Sequence, residues 1–393
     1  MEDTMKILMV SFISSSNLGD QLIYNTIDND FLQGHAVKKY DYNLVSEDKL
    51  TVLPESKESS LLKQIYVNYF RKTSIVDKWR DSVNRKNALN NPNWDAFLAD
   101  LEQSDLLILG GGNAIFDLTP HSSGYFMFDQ IVQAARKKNV PSFAFSIGIG
   151  PFITKKQEEA AVQTLANTDY VTVRDQKSYS YLAHLDNAHL SIDPVFGLDK
   201  VEKITTDDKK TIGLSIIDLI NNKQTTEENN QYISDIVALI EKTTTHNIIL
   251  YSSEPKDYQT VRAIYEKVSH LDYVSMEYID TIDKLMNLYA RLDLVIGARM
   301  HSLIVGVSQA IPIIGFSWQP KVHAMFDMIE ASDSVFPIHA IQSHQSEILN
   351  LIETKLNDAE TAEQMERTNQ IVEEKLAINK QIIAEVASTK AEI

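Results

Sequence analysis

The chain has no cysteine among its 393 residues, which excludes disulfides, thiolate nucleophiles and cysteine-bound zinc together. It also lacks long hydrophobic runs. Stretches such as "LLILGGG" and "LVIGA" stop far short of the ~20 residues that a membrane-spanning helix needs. The opening "MEDTMKILMVSF" reads as neither a basic leader nor a cleavage site. The expectation is therefore a cytoplasmic protein without a transmembrane segment. Positive charge is scarce: 37 Lys and Arg against 54 Asp and Glu leave a formal net charge of -17. Nucleic acid and anionic lipid recruit basic surfaces, so neither is expected as a general partner. Any anion must be held by a local arrangement.

What is present is a globular composition, 44% hydrophobic and 8% aromatic, in a chain long enough for two domains. Short β-rich runs alternate with helical patterns, the signature of parallel sheets with crossover helices. In the first half, strands are expected at Lys6 to Phe12, Ala36 to Tyr40, Leu106 to Leu109, Ser142 to Ile147, Val171 to Val173 and Leu190 to Ile192. Helices are expected over Leu22 to Leu32, Phe126 to Lys138 and Lys155 to Ala166. A second series restarts at "KKTIGLSII" after the polar "LDKVEKITTDD" and runs through "NIILYSS", "YVSMEY", "DLVIGA" and "IPIIGF". The predicted fold class is α/β: two Rossmann-like domains facing across a cleft, residues 1–198 and 199–345. A polar helical insert is expected at 48–104. Residues 346–393 carry apolar positions at three- and four-residue spacing on a charged background, which predicts a long C-terminal helix packed on the body or on a second copy.

Ligands of open α/β sheets sit at the carboxyl ends of strands, so the strand-to-helix junctions are where chemistry is sought. In "SSSNLGDQLIYN", Asn17 and Gly19 form a turn. Asp20 is either the cap of a helix starting near Gln21 or an acceptor and base facing substrate. In "LLILGGGNAIFD", Gly110, Gly111 and Gly112 follow a buried strand, where main chain needs unusual dihedrals or close approach to a ligand, and Asn113 follows as cap or donor. "FSIGIGPF" ends a strand at Gly148 and Gly150. In "YVTVRDQKSYSYL" the adjacent Arg174 and Asp175 read either as a clasp or as a ligand-binding pair. In "GARMHSLIVGVSQAIPIIGF", Arg299 and His301 stand where a strand ends and an apolar helix starts. A helix start supplies free amides that favour an anion, and a guanidinium adds a two-pronged donor for carboxylate or phosphate.

The segments "NLGDQLIYNTI", "LILGGGNAIFD", "SIGIGP", "VTVRDQKSYSYL", "SIDPVF" and "ARMHSLIVGVSQAIPIIGFSWQPKV" resemble, in order and approximate spacing, the polysaccharide pyruvyl transferase family. The resemblance covers most of residues 5 to 330. It implies a GT-B-like architecture, no metal and no cofactor, and phosphoenolpyruvate as donor substrate. The implied acceptor is a sugar or lipid-linked glycan, handled at the cytoplasmic face of the membrane during cell-surface polysaccharide synthesis. The reaction so implied joins the pyruvyl carbon to two hydroxyls of one sugar as a ketal and releases phosphate. It also implies that Arg174 and Arg299 bind the donor's carboxylate and phosphate and that His301 is catalytic. Gln21 occupies a position where the family often has an acidic residue, and the family's aromatic-x-x-Lys reads here as Trp318 and Lys321.

On this reading Arg174 and Arg299 hold the donor from the two domains. His301 carries protons between acceptor hydroxyls and donor, as histidine is suited to do near neutral pH, with Asp20 as the second candidate. Asn17, Gly111, Gly112 and Asn113 line the substrate site. Trp318 offers a stacking face to sugar, against the alternative of an interior tryptophan. Lys321 reaches an acceptor phosphate, against the alternative of a solvated lysine. Two competing functions stay open: a GT-B-like glycosyltransferase using a nucleotide sugar, and a non-catalytic member of a polysaccharide assembly.

Overall fold

A computed structural model describes residues 4–15, 17–50, 74–204, 209–222 and 224–391. Packing divides the chain into two compact units, one of Met1–Ser16, Ile23–Pro194 and Leu376–Ile393, the other of Asn17–Leu22 and Val195–Lys375. The predicted boundary near residue 198 thus stands beside an observed division at Pro194 and Val195. The segment Asn17–Leu22 and the tail are apportioned differently from the simple linear domains read in the sequence.

The first unit's elements run β1 (Lys6–Ser11), α1 (Leu18–Thr26), β2 (Ala36–Asp41), α2 (Ser74–Leu89), α3 (Trp94–Leu101), β3 (Leu106–Gly110), β4 (Asn113–Ile115), α4 (Phe126–Lys138), β5 (Ser142–Ile149), α5 (Lys155–Ala166), β6 (Tyr170–Val173), α6 (Gln176–Leu182) and β7 (Ala188–Leu190). The early residues of α1 belong to the second unit. The strands pair in parallel in the order β2-β1-β3-β5-β6-β7, with β4 beside β5. Helices cover parallel sheets on both faces, so their strands carry apolar residues without alternation. Accordingly, every residue of β3 and β5 is buried.

Local chemistry sets many of the helix ends. Thr154 and Gln157 form a capping box that starts α5, and Asn139, left-handed at φ 54, ends α4. The predicted helix Leu22 to Leu32 instead begins at Leu18 and gives way to a π-turn over Ile27–Phe31. Asn17 Oδ1 accepts the Gly19 amide at 2.7 Å, which satisfies an orphan donor early enough to start the helix there. The predicted strand Leu190 to Ile192 lies two residues earlier, at Ala188–Leu190. The expected insert 48–104 contains α2 and α3, while its residues 51–73 lie outside those described.

The second unit continues with β8 (Thr211–Ser215), α7 (Thr226–Lys242), β9 (Asn247–Tyr251), α8 (Tyr258–Val268), β10 (Val274–Met276), α9 (Ile282–Tyr289), β11 (Leu294–Gly297), α10 (Met300–Ser308), β12 (Ile313–Ser317), α11 (Pro320–Met328), β13 (Val335–Pro337) and α12 (Gln345–Asn357). Its strand order, β10-β9-β8-β11-β12-β13, is that of a Rossmann sheet, with the order reversing between β8 and β11. Ile212, Leu214, Leu250, Ile296 and Phe316 form part of its core.

The tail is two helices rather than one. After α12, Asp358 adopts extended backbone (ψ 134) and its Oδ1 accepts the Glu360 amide at 3.0 Å. The 33-residue helix α13 (Ala359–Ala391) follows. Its buried stripe of Val372, Leu376, Ile383 and Val386 contains one buried polar residue, Asn379. Among the described residues, no helix is long and apolar enough to cross a membrane.

Candidate active site

In the second unit, β11 ends at Gly297 and α10 begins at Met300, so Arg299 and His301 lie where β8 and β11 part, the switch point of the sheet. Arg299 is the N-cap of α10, and its side chain makes no cap bond there. Instead, its Nε donates to Asp257 Oδ2 at 2.6 Å and its Nη2 to Asp257 Oδ1 at 2.7 Å. Asp257 is fully buried. It also accepts from the Asp218 amide at 3.0 Å and Ser252 Oγ at 2.9 Å. The two-pronged grip that the sequence assigned to an external anion is therefore made to an internal carboxylate, because a buried guanidinium needs a fixed counter-charge. The Nη1 side of Arg299 lies 3.6 Å from Glu254 Oε1. Glu254 is in turn held by Asn17 Nδ2 at 2.7 Å and Lys256 Nζ at 2.9 Å.

His301 is partly buried, with its ring against Gly19. A Cβ at Gly19 would stand 2.1 Å from His301 Nδ1, so only glycine fits that position while the ring stays where it is. Behind His301, Ser302 Oγ donates to Ser253 Oγ at 3.1 Å and accepts from Ser215 Oγ at 2.8 Å. Tyr289 OH donates to the Ser302 carbonyl at 2.6 Å and lies 2.7 Å from Tyr251 OH. Burial pushes both phenol pKa values well above the ordinary one, so they remain neutral hydrogen-bond donors. The start of α10 is thus braced by β8, the loop after β9, and α9.

Trp318 follows β12 and donates its Nε1 to the Ala298 carbonyl, next to Arg299, at 3.1 Å. It packs on the core with part of its ring lining a cavity of about 470 Å³. Lys321, on the first turn of α11, is exposed and does not line that cavity. Asp20 lies in the first turn of α1 rather than at its cap. Asn17 holds the position ahead of the helix that Asp20 was expected to fill.

The remaining expected residues gather in the first unit. Gly111 and Gly112 take left-handed backbone at φ 50 and 72, and a Cβ on Gly111 would meet Ile23 Cγ2 at 1.9 Å. Both observations account for the glycine run after β3. Asn113 caps no helix: it begins the short strand β4 and donates its Nδ2 to the Gly150 carbonyl at 3.3 Å. Arg174 pairs with Asp193, not with the adjacent Asp175, through Nη1 to Oδ2 at 2.7 Å. Asp175 is instead the N-cap of α6, accepting the Ser178 amide at 2.7 Å. A Cβ on Gly148 would lie 2.8 Å from Asn113 Oδ1 and 3.1 Å from Arg174 Nε, which brings these three residues together at the start of β4 and the carboxyl ends of β5 and β6.

Sequence reasoning missed the two buried carboxylates that hold the arginines. Asp193 stood inside the quoted "SIDPVF", where an aspartate directly before proline looks like a turn. Asp257 and Glu254 belong to "SSEPKD", a polar loop whose partner is more than forty positions away in the case of Arg299. Among the described residues, no group of three or more His, Asp or Glu is placed to hold a metal ion.

Solved structures of similar fold are known. The chain is similar in fold to UDP-GlcNAc 2-epimerase from Neisseria meningitidis bound to UDP-GlcNAc, at TM-score 0.55 and 11% identity over 98% of this chain and 100% of the other. The spinosyn rhamnosyltransferase SpnG matches at TM-score 0.51 and 12% identity, over 96% and 99% of the two chains. MnaA of S. aureus, in complex with UDP, matches at 0.51 and 13%, over 99% and 98%. At such identities the likeness is one of fold: two parallel-sheet α/β units of the GT-B type, with a long C-terminal helix. A search of curated protein sequences found no match. The sequence pattern of the family described as polysaccharide pyruvyl transferase matches residues 17–320, a span that takes in Asn17, Gly19, Arg174, Arg299 and His301. The chain belongs to the polysaccharide pyruvyl transferase family.

Proposed function

We propose that the protein transfers pyruvate from phosphoenolpyruvate to two hydroxyls of one sugar, forming a ketal and releasing phosphate. The observation that carries this reading is the Arg299–His301 pair at the switch point of the second sheet, with the His301 ring seated on Gly19, in a chain of this family. Asp257 takes the Nε and Nη2 donors of Arg299 that face it. The Nη1–Nη2 edge, with Glu254 Oε1 3.6 Å from Nη1, and the start of α10, where Arg299 makes no side-chain cap bond, are the groups assigned to the donor's anionic oxygens. Asp257 fixes that edge in direction, so little rotamer entropy is lost when a donor binds.

The reaction balances without a metal or redox partner. A proton adds to C3 of the donor as the first sugar hydroxyl bonds to C2 and gives up its own proton. The C2–O bond to phosphate then breaks, the second hydroxyl captures C2, and its proton leaves with phosphate. His301 is the group assigned to carry these protons. The acceptor is a glycan of cell-surface polysaccharide synthesis, handled at the cytoplasmic face of the membrane.

The test is phosphate release from phosphoenolpyruvate with candidate glycans, followed by mass analysis of the product for the pyruvate ketal. His301→Ala should retain donor binding and lose turnover, and full turnover in that variant would remove the assignment. A nucleotide-sugar glycosyltransferase is the second reading, favoured by the fold likeness to a rhamnosyltransferase and to proteins holding UDP or UDP-GlcNAc. It predicts binding of a nucleotide sugar in place of phosphoenolpyruvate.

A further inference from the structure

The cavity of about 470 Å³ in the second unit opens at the carboxyl ends of β8, β12 and β13. Its volume is in the range of small-ligand pockets, ~300–1,000 Å³. Trp318 lines one side, with its indole N–H spent on the Ala298 carbonyl and its ring edge thereby fixed. Gln231, Asp235, Glu228 and Gln319 supply carboxylate and amide groups. Gln231 Nε2 donates to Asp235 Oδ1 at 2.7 Å. Glu228 Oε2 accepts from the Thr225 amide and hydroxyl at 2.7 and 2.8 Å, which fixes the other carboxylate.

This lining suits one class of ligand. Carboxylates and planar amides bond to ligand hydroxyls, and an aromatic face covers the apolar face of a ring. Two carboxylates stand in the lining with two histidines, His323 and His339, and with no lysine or arginine among the described residues, a balance that favours a neutral ligand over an anion such as the phosphorylated donor. The cavity is also tied to the candidate active site. Ala298, which accepts from Trp318, directly precedes Arg299.

We infer that this cavity binds the acceptor as an uncharged sugar ring, stacked on Trp318 and held by Asp235 and Gln231. The inference rests on the pyruvyl-transfer reading for the word acceptor, while the ligand class rests on the cavity alone. If it holds, the charged groups of an anionic or carrier-linked glycan lie outside the cavity, and the ring inside it is neutral.

The test uses the full chain and two sets of probes: methyl glycosides of neutral hexoses and N-acetylhexosamines, and their 6-phosphates. Binding is measured by saturation-transfer NMR and calorimetry, with phosphoenolpyruvate affinity measured separately. At least one neutral glycoside should bind, and more tightly than its 6-phosphate. Trp318→Leu and Asp235→Ala should each weaken it about tenfold, with Trp318→Phe recovering most of the loss. Thermal unfolding checks that each variant is folded, and Gln231→Ala replaces any that is not. Tighter binding of the 6-phosphates, no binding of any neutral glycoside, or affinity indifferent to these substitutions would overturn the inference. If glycosides bind in the expected way and phosphoenolpyruvate does not bind, the reaction falls and the cavity stands. If the donor binds and the glycosides ignore the substitutions, the cavity falls and the reaction stands.

Discussion

Replacing Gly19 by alanine adds one methyl group where the structure has no room for it. That Cβ would lie 2.1 Å from His301 Nδ1, 2.6 Å from Cε1 and 2.7 Å from Cγ. Non-bonded atoms settle at roughly 3.5–4.0 Å, so the ring or the helix must move on the order of 1 Å. The effect on stability is a net loss of up to about 3 kcal/mol, because two contributions oppose each other only in part. Overpacking costs about 1–3 kcal/mol, whereas alanine favours a helix over glycine by up to about 1 kcal/mol. The effect on chemistry is not offset, since a displacement on the order of 1 Å from a productive geometry costs about 100-fold in rate. Gly19→Ala should therefore fold, bind phosphoenolpyruvate with little change, and release phosphate about 100-fold more slowly. Initial rates of acceptor-dependent phosphate release, beside calorimetric donor affinity, read the two effects separately. The double variant with His301→Ala supplies the control, because removing the ring removes the clash. Gly19→Ala should then cost nothing beyond the loss already caused by His301→Ala. A wild-type rate in the single variant, or a further loss in the double one, would refute the reasoning.

Three other perturbations follow from the geometry. Asp257→Ala removes both close hydrogen bonds from the buried Arg299 guanidinium and leaves it only Glu254 at 3.6 Å, and should cost about 3–5 kcal/mol in a urea-unfolding measurement. Asn379 donates to Ser146 Oγ at 3.0 Å and Ser191 Oγ at 2.9 Å and accepts from Thr172 Oγ1 at 2.7 Å. Asn379→Ala removes three hydrogen bonds from these buried hydroxyls, which keep only their bonds to one another's segments, and should lower stability by about 1–3 kcal/mol, visible as a lower urea midpoint. Asp117 is buried, and burial raises its pKa. The folded state therefore holds that proton more tightly than the unfolded state, a stabilisation present in acid and lost as pH rises through the raised value. Asp117→Asn keeps an acceptor for the Gly124 amide, bonded at 2.9 Å. It should flatten the fall in Tm that begins as pH rises above the ordinary carboxylate range, and an unchanged slope would count against the assignment.

The alternation of apolar and polar runs was enough to read both sheets except for the three-residue strands β4 and β13, which are too short to show a period of their own. The helices at Phe126–Lys138 and Lys155–Ala166 were legible to the residue, since Asn139 stops the first and the Thr154–Gln157 box starts the second. The start of α1 at Leu18 is not legible from Asp20, because the side chain that satisfies a first-turn amide, that of Gly19, belongs to Asn17. The tail's apolar stripe was legible as helical. Asp358 was not read as a break, and Asn379 could not be recognised as a deliberate polar position, because its partners lie on β5, β6 and the segment after β7.

The sequence by itself determined the α/β class, the arginine and histidine at the β11–α10 junction, and the glycines that a crowded backbone needs, since each of these is written in residue type and local spacing. Tertiary structure decided what those residues touch. It gave the Arg299 fork to Asp257, paired Arg174 with Asp193 rather than Asp175, and seated His301 on Gly19, across 282 positions of chain in the last case (301 less 19). Partners of that kind are chosen by strand order and by the need to neutralise buried charge, and neither leaves a mark in the residues that flank them.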